Sequence, residues 1–250
     1  MTIKVLVKAL HVVEFLSDVS GGAGVTEIGR GVGLDKATVF RVLKTLEQTG
    51  YVERYDSAGR YRLSARLWAV GMRSGHGRGL VDAVAPELKA LALATGETAY
   101  LAIRSGDESI FLDKADSDAA VRIHTPLGAR IPLHCGSASK AMLAWQDKAC
   151  IERVSGSLVA MTPHTITDPA SLILELQRIR RRGYATASEE WREGIAGVAA
   201  PIRDHTGAVG AALAVSGPVA RMGLSRMRAM AATVIASAQR VTLRLGGSGG

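Results

Sequence analysis

Apolar residues at the start of the chain recur with the spacing of a helix. Leu6, Leu10 and Val13 fall at positions i, i+4 and i+7, so they predict one apolar stripe on a helix over about residues 3–17. A glycine-rich loop then ends this helix. The pattern therefore begins with an amphipathic helix followed by a break.

Two further helices are predicted after this loop. Thr26 is a candidate N-cap for a short helix that runs through Arg30, and Asp35 is a candidate N-cap for a longer helix, Lys36–Gln48. Residues 31–34 between them match the turn of a helix-turn-helix. The longer helix turns its apolar residues one way, which leaves small, hydroxyl and basic residues on the opposite or flanking surface: Lys36, Ala37, Thr38, Arg41 and Lys44. Small residues that allow close approach, followed by cations, are what a major-groove helix needs.

Two short strands follow the third helix. Residues 51–55 alternate with a period of two, residues 56–59 are a turn-rich tetrapeptide, and residues 60–63 continue as a second strand. This second strand carries Arg60 and Arg62. A strand pair with basic side chains directly after a helix-turn-helix predicts a wing.

Positive charge is concentrated in the same part of the chain. The 250 residues have a formal net charge of +8, and residues 36–73 hold eight Lys or Arg against three Asp or Glu. A basic patch on a predicted winged helix-turn-helix indicates contacts with nucleic-acid phosphates. Helix-turn-helix patterns also occur in proteins that use them for protein contacts, so that alternative stays open.

The rest of the chain predicts helices and short antiparallel strands. A helix from Ser64 and a hinge at residues 74–79 lead into a second domain. There we expect helices over residues 81–94, 137–145, 169–183 and 221–245, and strands over residues 98–103, 109–113, 197–202 and 209–216. The fold class is α+β, with a DNA-binding domain at 1–64, a linker helix and hinge at 65–80, a sensor-like domain at 81–245 and a flexible tail at 246–250.

Four arginines lie in the last turns of the helix predicted at residues 169–183: Arg178, Arg180, Arg181 and Arg182. They suit phosphate binding. Cations at a helix C-terminus also interact favourably with the helix dipole, and we favour this second interpretation.

Composition narrows the class of protein further. Aromatic residues make up 4% of the chain, which offers few platforms for stacking single-stranded nucleic acid. Two cysteines match no zinc or redox pattern. We find no apolar run of the roughly 18 residues that a membrane span needs and no signal-peptide pattern. We therefore expect a cytoplasmic protein without a cofactor or a membrane partner.

One sequence motif points to enzyme chemistry. Residues 137–140 fit S-x-x-K, as in serine acyl-enzymes in which a lysine assists Ser137, and residues 205–207 distantly resemble the partner motif K-T-G. The third motif of that class is absent, so we expect no enzyme and keep a serine acyl-enzyme using Ser137 and Lys140 as a remote alternative. His124, His134 and Cys135 form no metal-binding pattern that we favour over ordinary packing.

Over nearly its whole length the chain resembles the IclR family of bacterial transcriptional regulators. In the first half the resemblance rests on VTEI at 25–28, KATVFRVL at 36–43, GYV at 50–52 and YRL at 61–63. In the second half it rests on PLH at 132–134, KAMLA at 140–144, RGYA at 182–185, EE at 189–190, Gly194, AAPI at 199–202 and VSGP at 215–218. So many ordered matches also remove the acyl-enzyme reading, because Lys140 is then a structural position of the family.

The resemblance implies a winged helix-turn-helix domain, a linker helix that pairs protomers and a GAF-like effector-binding domain. It implies a regulator, a repressor in our reading, that binds palindromic double-stranded operator DNA as a dimer or a dimer of dimers and responds to a small organic effector. The residues that match the family's DNA-binding set are Lys36, Thr38, Arg41, Lys44, Arg60 and Arg62, and we add Thr26 and Ala37 as candidate DNA contacts. Those that match its effector pocket, with two candidate polar contacts added, are Ile123, His134, Ser137, Ala138, Ala187, Glu190, Gly197, Ala214 and Ser216.

Three pocket positions depart from the family members that bind small keto acids. Where those members hold Asp, Cys and Ser, this chain holds Ala187, Gly197 and Ala214. A small charged ligand would lose hydration in such a pocket without gaining hydrogen bonds. We therefore expect an aromatic or otherwise larger effector, with Arg122, His124, His134 or Glu190 as polar contacts. A pocket that has shrunk or lost its ligand is the alternative.

Overall fold

The computed structural model describes residues 2–19, 21–56, 58–73 and 78–247. The chain divides into two compact units, residues 1–77 and residues 78–250. Each unit has its own buried core. Within the described ranges, no helix is both long enough and apolar enough to cross a membrane.

The first unit is a winged helix-turn-helix. Its elements are α1 (Lys4–Asp18), α2 (Val25–Val32), α3 (Lys36–Gln48), β1 (Val52–Arg54), β2 (Tyr61–Leu63) and α4 (Ala65–Arg73). The two strands pair antiparallel, with Glu53 opposite Arg62. The predicted order of three helices, a wing and a further helix is confirmed.

The side of α1 that is buried in the core of this unit differs from the predicted one. Val12 and Leu16 are buried against α2 and α3, whereas Leu6 and Leu10 are 57% and 60% exposed. The predicted stripe through Leu6 and Leu10 is therefore wrong. The first half of α1 is apolar on several sides, so spacing alone fits more than one stripe, and packing against α2 and α3 selects the one further along the helix.

The start of α2 is a second correction. The helix begins at Val25, Gly24 occupies the N-cap position, and no side chain caps it. Thr26 lies exposed in the first turn instead of before it. Asp35, by contrast, caps α3 as predicted.

Over residues 78–247, the second unit contains five helices and one six-stranded antiparallel sheet with the strand order β5-β4-β3-β8-β7-β6. Its elements are α5 (Arg78–Thr95), β3 (Thr98–Ser105), β4 (Glu108–Ala115), β5 (Arg130–Pro132), α6 (Ser137–Leu143), α7 (Lys148–Ser155), α8 (Pro169–Arg182), β6 (Ala185–Ser188), β7 (Ile195–Arg203), β8 (Val209–Pro218) and α9 (Leu224–Arg244).

Helices cover both faces of this sheet, so β8 is apolar on both sides. Ala212 and Ala214 pack in the core with α6 and α8, while Leu213 and Val215 pack with α5 and α9. Successive strand residues point to opposite faces, which places these pairs in different layers. The α+β prediction is confirmed as a three-layer arrangement.

Several boundaries differ from the predicted ones. α5 begins at Arg78, so residues 78 and 79 belong to a helix and not to the predicted hinge, while residues 74–77 lie outside the described residues. The strands β5 and β6 and the helix α7 were not predicted. The first two are only three and four residues long, too short for a periodic signal. Of the predicted tail, residues 248–250 lie outside the described residues.

A buried carboxylate ties α5 to α9. Glu87 is 4% exposed, and Arg240 donates to it at 2.7 Å through Nη2, with Arg244 at 3.0 Å. The hydrogen bonds from Arg240 hold the pKa of the Glu87 carboxyl below its ordinary value of 4.5. Folding therefore favours the ionised form, and Glu87 contributes stability above pH 4.5 that is lost as the pH falls through the lower, folded value.

The variant Glu87→Gln should reduce the free energy of unfolding at pH 7 by about 1 to 2 kcal/mol, because charged hydrogen bonds are lost while both arginines stay half exposed to water. Urea denaturation across a pH series should show the gap from the unmodified protein narrowing below pH 4.5. The control is Glu152→Gln, which removes an exposed carboxylate paired with Lys148 on α7. A gap that stays constant with pH would contradict this role for Glu87.

Candidate functional site

The turn between α2 and α3 is fixed by backbone geometry and by one carboxylate. Gly33 ends α2 in the left-handed conformation, with φ +66°, and its N–H bonds to the carbonyl of Gly29. Asp35 then accepts from the backbone N–H and the hydroxyl of Thr38, both at 2.8 Å. The bond from the Thr38 N–H is the main reason that the pKa of the Asp35 carboxyl is lowered. The start of α3 is thereby held in place.

The predicted DNA-contacting side chains of α3 lie on one accessible surface. Lys36, Ala37, Arg41 and Lys44 are exposed, and Thr38 is half-buried beside Asp35. Among the residues that the structure describes, none of these three cations forms an ion pair. The face of α3 therefore presents small residues near its start and uncompensated positive charge one turn later.

The wing is less positively charged than a residue count suggests. Arg60 pairs with Asp56 at 2.6 Å, Arg62 with Glu53 at 2.6 Å, and Arg54 with Glu47 at 3.3 Å. These are the three acidic residues of the basic segment 36–73. Arg60 and Arg62 also lie over the ring of Tyr55. The wing arginines are thus held in position, while Lys36, Arg41 and Lys44 on α3 have no acidic partner among the described residues.

A small enclosed cavity lies between α6 and the sheet in the second unit. Seven of the nine predicted effector residues line it: Ser137, Ala138, Ala187, Glu190, Gly197, Ala214 and Ser216. Its volume is about 40 Å³, well below the roughly 300 to 1,000 Å³ of small-molecule sites. Sheet register explains the grouping, because Ala187 pairs with Gly197 and Gly197 with Ser216 in one row across β6, β7 and β8.

Two predicted effector residues lie elsewhere. His134 is buried, and its ring Nε2 is 2.9 Å from the backbone carbonyl oxygen of Val159. Ile123 accepts a hydrogen bond from the Tyr100 hydroxyl through its carbonyl, at 3.3 Å, and does not line the cavity. Two further candidate polar contacts, Arg122 and His124, are exposed. Of the four proposed polar contacts, Glu190 alone belongs to the lining.

The lining also contains residues that the sequence did not single out, among them an aromatic and a basic side chain. Trp191 and Arg192 directly follow Glu190, in the loop between β6 and β7. The Arg192 guanidinium lies 4.2 Å from the centroid of the Trp191 ring, and that ring packs near Phe111. The sequence offered one signal for these two lining residues, which is that the aromatic Trp191 directly follows the predicted pocket residue Glu190.

The cavity lining combines an apolar wall with the hydroxyls of Ser137, Ser139 and Ser216 and the charged side chains Glu190 and Arg192. A Cβ placed on Gly197 would lie 2.8 Å from Ser216 Oγ and 3.1 Å from Ser137 Oγ, so the glycine keeps this space open. Neither hydroxyl makes a hydrogen bond to another group in the described part of the chain. The apolar part of the wall includes Phe111, Ile131, Ala138, Ala187, Ala196 and Ala214. A ligand would thus meet the hydroxyls of Ser137 and Ser216 and the charges of Glu190 and Arg192 beside an apolar surface.

Glu190, which lines the cavity, belongs to a buried ion pair. Lys140, 1% exposed, pairs through Nζ with Glu190 Oε1, and Glu190 Oε2 accepts from the backbone N–H of Gly136 at 3.0 Å. The Cys135 thiol donates to the Glu190 carbonyl at 3.1 Å. Burial and the nearby Glu190 charge raise the pKa of Cys135 to about 12.

Other contacts involve the residues of the catalytic and metal-binding patterns that the sequence raised. The amine of Lys140 is engaged with Glu190, so it is not a free base beside Ser137. Thr206, in the motif resembling K-T-G, bonds to Asp204 in the β7–β8 turn. Among the described residues, no three His, Cys, Asp or Glu side chains lie close enough together to hold a metal ion.

Comparison with known proteins identifies both units. Residues 5–56 match the IclR helix-turn-helix domain, and residues 72–243 match the C-terminal domain of bacterial transcriptional regulators of the IclR type. The HTH-type transcriptional regulator BhcR of Paracoccus denitrificans is 36% identical over 96% of this chain and 86% of its own length. The transcriptional repressor IclR of Escherichia coli is 31% identical over 97% of this chain and 90% of its own length.

Solved structures show the same fold. The Thermotoga maritima IclR aligns with a TM-score of 0.78 and 26% identity, covering 98% of this chain and all of the other. An IclR homologue from Microbacterium hydrocarbonoxydans, complexed with 4-hydroxybenzoate, aligns with a TM-score of 0.79 and 26% identity, covering 96% of this chain and 98% of the other.

The winged helix-turn-helix of the first unit and the matching C-terminal domain of the second define a DNA-binding regulator with an effector-binding domain. Within this class, the chain belongs to the IclR family of bacterial transcriptional regulators, with the family's helix-turn-helix domain followed by its effector-binding domain.

Proposed function

We propose that this regulator is a repressor that places α3 in the major groove of a palindromic operator and its wing on the flanking phosphates. The observation that carries the proposal is the accessible face of α3, on which Lys36, Arg41 and Lys44 have no acidic partner among the described residues. Thr26, Ala37 and Thr38 complete the proposed contact surface. Because the partner is DNA, the protein would act in the cytoplasm.

Arg41 and Arg60 are proposed to have different tasks, which operator binding can separate. Arg41→Ala should weaken binding to the operator by about 1 to 3 kcal/mol if this side chain reads a base, with little effect on scrambled DNA. Arg60→Ala should weaken binding to both DNAs and reduce the salt slope by about 1, because a phosphate contact carries no sequence information. Fluorescence anisotropy across a salt series, on the intergenic DNA beside the gene and on scrambled DNA, measures both effects.

Lys148→Ala is the matched control, since it removes an exposed cation from α7 in the other unit. Operator affinity and salt slope that stay unchanged in both arginine variants would rule out these assignments. Equal, weak binding of the unmodified protein to both DNAs would favour a helix-turn-helix that serves protein contacts.

We also propose that the exposed apolar side of α1 contacts a second copy of the chain. Ile3, Leu6 and Leu10 follow one another at helical spacing and are each more than half exposed. An apolar stripe of this kind on a protein surface marks an interaction site. A palindromic operator requires two copies side by side, which makes the second copy the fitting occupant.

The double variant Leu6→Ser, Leu10→Ser should shift the protein toward smaller assemblies and weaken operator binding, because the apolar contact between copies is lost. Sedimentation velocity over a concentration series measures the shift. Leu93→Ser, which changes a highly exposed apolar residue of α5 in the other unit, serves as the control. An unchanged mass distribution of the double variant would exclude α1 from the interface.

The effector is proposed to be a small aromatic acid with a hydroxyl or carboxylate that bonds to Ser137 and Ser216. The apolar wall of the cavity and the 4-hydroxybenzoate held by a structural relative support this class. A volume of about 40 Å³ is too small for such a ligand, so binding would require the loop with Trp191 and Arg192 to move. Glu189 at the base of this loop has φ +58°, the one positive value for a residue other than glycine in the described residues.

The regulatory step is then a shift between two states. The effector would bind the open form of the cavity more tightly than the closed form and change operator affinity through this difference. Glu190 is well placed to transmit the change, because its loop lines the cavity while its carboxylate is paired with Lys140 on α6.

Calorimetric titration with 4-hydroxybenzoate as the probe should give binding that Ser216→Ala weakens about five- to tenfold through loss of one hydrogen bond. Trp191→Phe should keep the binding and abolish most of the accompanying change in tryptophan fluorescence, which assigns the signal to the loop. Glyoxylate is the comparison ligand. Micromolar binding of glyoxylate, with none of the aromatic acid, would overturn the proposed class of effector.

A further inference from the structure

A second, larger cleft in the same unit lies where β6 leaves β7 unpaired. β6 begins at Ala185, opposite Ala199, so residues 200–203 of β7 have no partner on that side. The end of α8, the loop after α6 and one side of α9 surround this edge and enclose a volume of about 630 Å³. The cleft shares no lining residue with the effector cavity.

Four arginines from two different elements line this cleft. Arg180, Arg181 and Arg182 end α8, and Arg203 ends β7. No acidic residue is part of the lining. The helix dipole accounts for cations at the end of α8, but it does not account for Arg203, which a separate strand brings to the same place.

Little of this charge is neutralised. Arg182 pairs with Glu175 at 2.7 Å. Arg180 donates to the carbonyls of Ala144 and Gln146, and Arg203 donates to the carbonyl of Gly207 at 3.1 Å, which orients both guanidinium groups without cancelling their charge. Arg181 is exposed and makes neither a hydrogen bond nor an ion pair within the described ranges. Three positive charges are therefore available to a ligand.

The guanidinium groups of the cleft are also held in position before a ligand binds. The Arg203 guanidinium lies 4.0 Å from the centroid of the Trp145 ring, which fixes its plane. Gln239 and Thr242 of α9 add uncharged polar groups on the other side. Planar guanidinium groups held by carbonyls and an aromatic ring suit bidentate bonding to phosphate oxygens. The volume lies within the range of small-molecule sites and exceeds what one phosphate ion would fill.

We propose that this cleft is a second ligand site of the regulator and that it binds a small organic phosphate, with the phosphate held by Arg181 and Arg203. The site is independent of the effector cavity and goes beyond the function proposed above. A ligand bound here would leave the cavity around Gly197 free, so the two compounds would not compete.

Calorimetric titration of the full-length protein with ribose 5-phosphate, with ribose as the uncharged counterpart, tests the proposal. Ribose 5-phosphate should bind, ribose should not, and raising the salt concentration should weaken the binding. Arg181→Ala and Arg203→Ala should each weaken it about tenfold or more, as expected for the loss of charge-assisted hydrogen bonds. Arg181→Glu, at an exposed position without internal partners, should abolish it without affecting folding.

Arg178→Ala is the matched control, because Arg178 lies on the same helix and is exposed but does not line the cleft. Binding of inorganic phosphate as tight as that of ribose 5-phosphate would reduce the site to a simple anion site and overturn the organic ligand. Absence of binding, or equal binding by the Arg181 variants and the unmodified protein, would overturn the proposal altogether. So would weaker non-specific DNA binding in Arg181→Glu without any binding of the sugar phosphate, since DNA would then be the partner.

Discussion

The architecture of the effector-binding unit depends on one ion pair that has almost no access to water. Lys140 on α6 and Glu190 after β6 lie 50 residues apart in the chain, and each is buried. Two buried charges are tolerated when they form an ion pair with each other and when further hydrogen bonds fill their remaining donor and acceptor positions. Here the second oxygen of Glu190 accepts from Gly136, so the carboxylate fixes the start of α6 as well. The ion pair therefore also sets the position of the loop between β6 and β7, which carries Glu190 and lines the cavity.

Charge has a different role in the DNA-binding unit, where its distribution matters more than its sum. The wing arginines are matched by the acidic residues of the same segment, whereas the cations of α3 are not. Exposed ion pairs contribute little stability and exchange readily with other anions. The ion pairs of the wing therefore hold its arginines in place before DNA binds, while the cations of α3 create the positive electrostatic potential that attracts a polyanion.

The sequence predicted those parts of the fold that depend on local signals. Asp35 and Asp168 each begin a helix by accepting backbone N–H groups, and both helices were located correctly. Asp147 caps α7 in the same way, at 2.7 Å from the N–H of Cys150, and this signal was present but not used. The family resemblance supplied six residues of the cavity lining, three of which, Ala187, Gly197 and Ser216, are carried into one row by sheet register.

What the sequence did not predict depends on tertiary packing. Which side of α1 is buried is decided by α2 and α3, and the first half of that helix offers several apolar sides. The places of Ile123 and His134 are set by long-range bonds to Tyr100 and Val159, which no local pattern encodes. Tertiary structure also places Arg203 next to the end of α8. β6 is shorter than β7, so the end of β7 that carries Arg203 is left open on that side.

The burial of the cysteine thiols affects how the protein reacts with oxidants. The chain has two cysteines, and both are buried. The Cys135 thiol, with a pKa of about 12, stays protonated at neutral pH, and oxidants and electrophiles react with the thiolate. Peroxide therefore finds no thiolate at Cys135 in the folded protein. The carboxylate that pairs with Lys140 thus also helps to keep the neighbouring thiol unreactive.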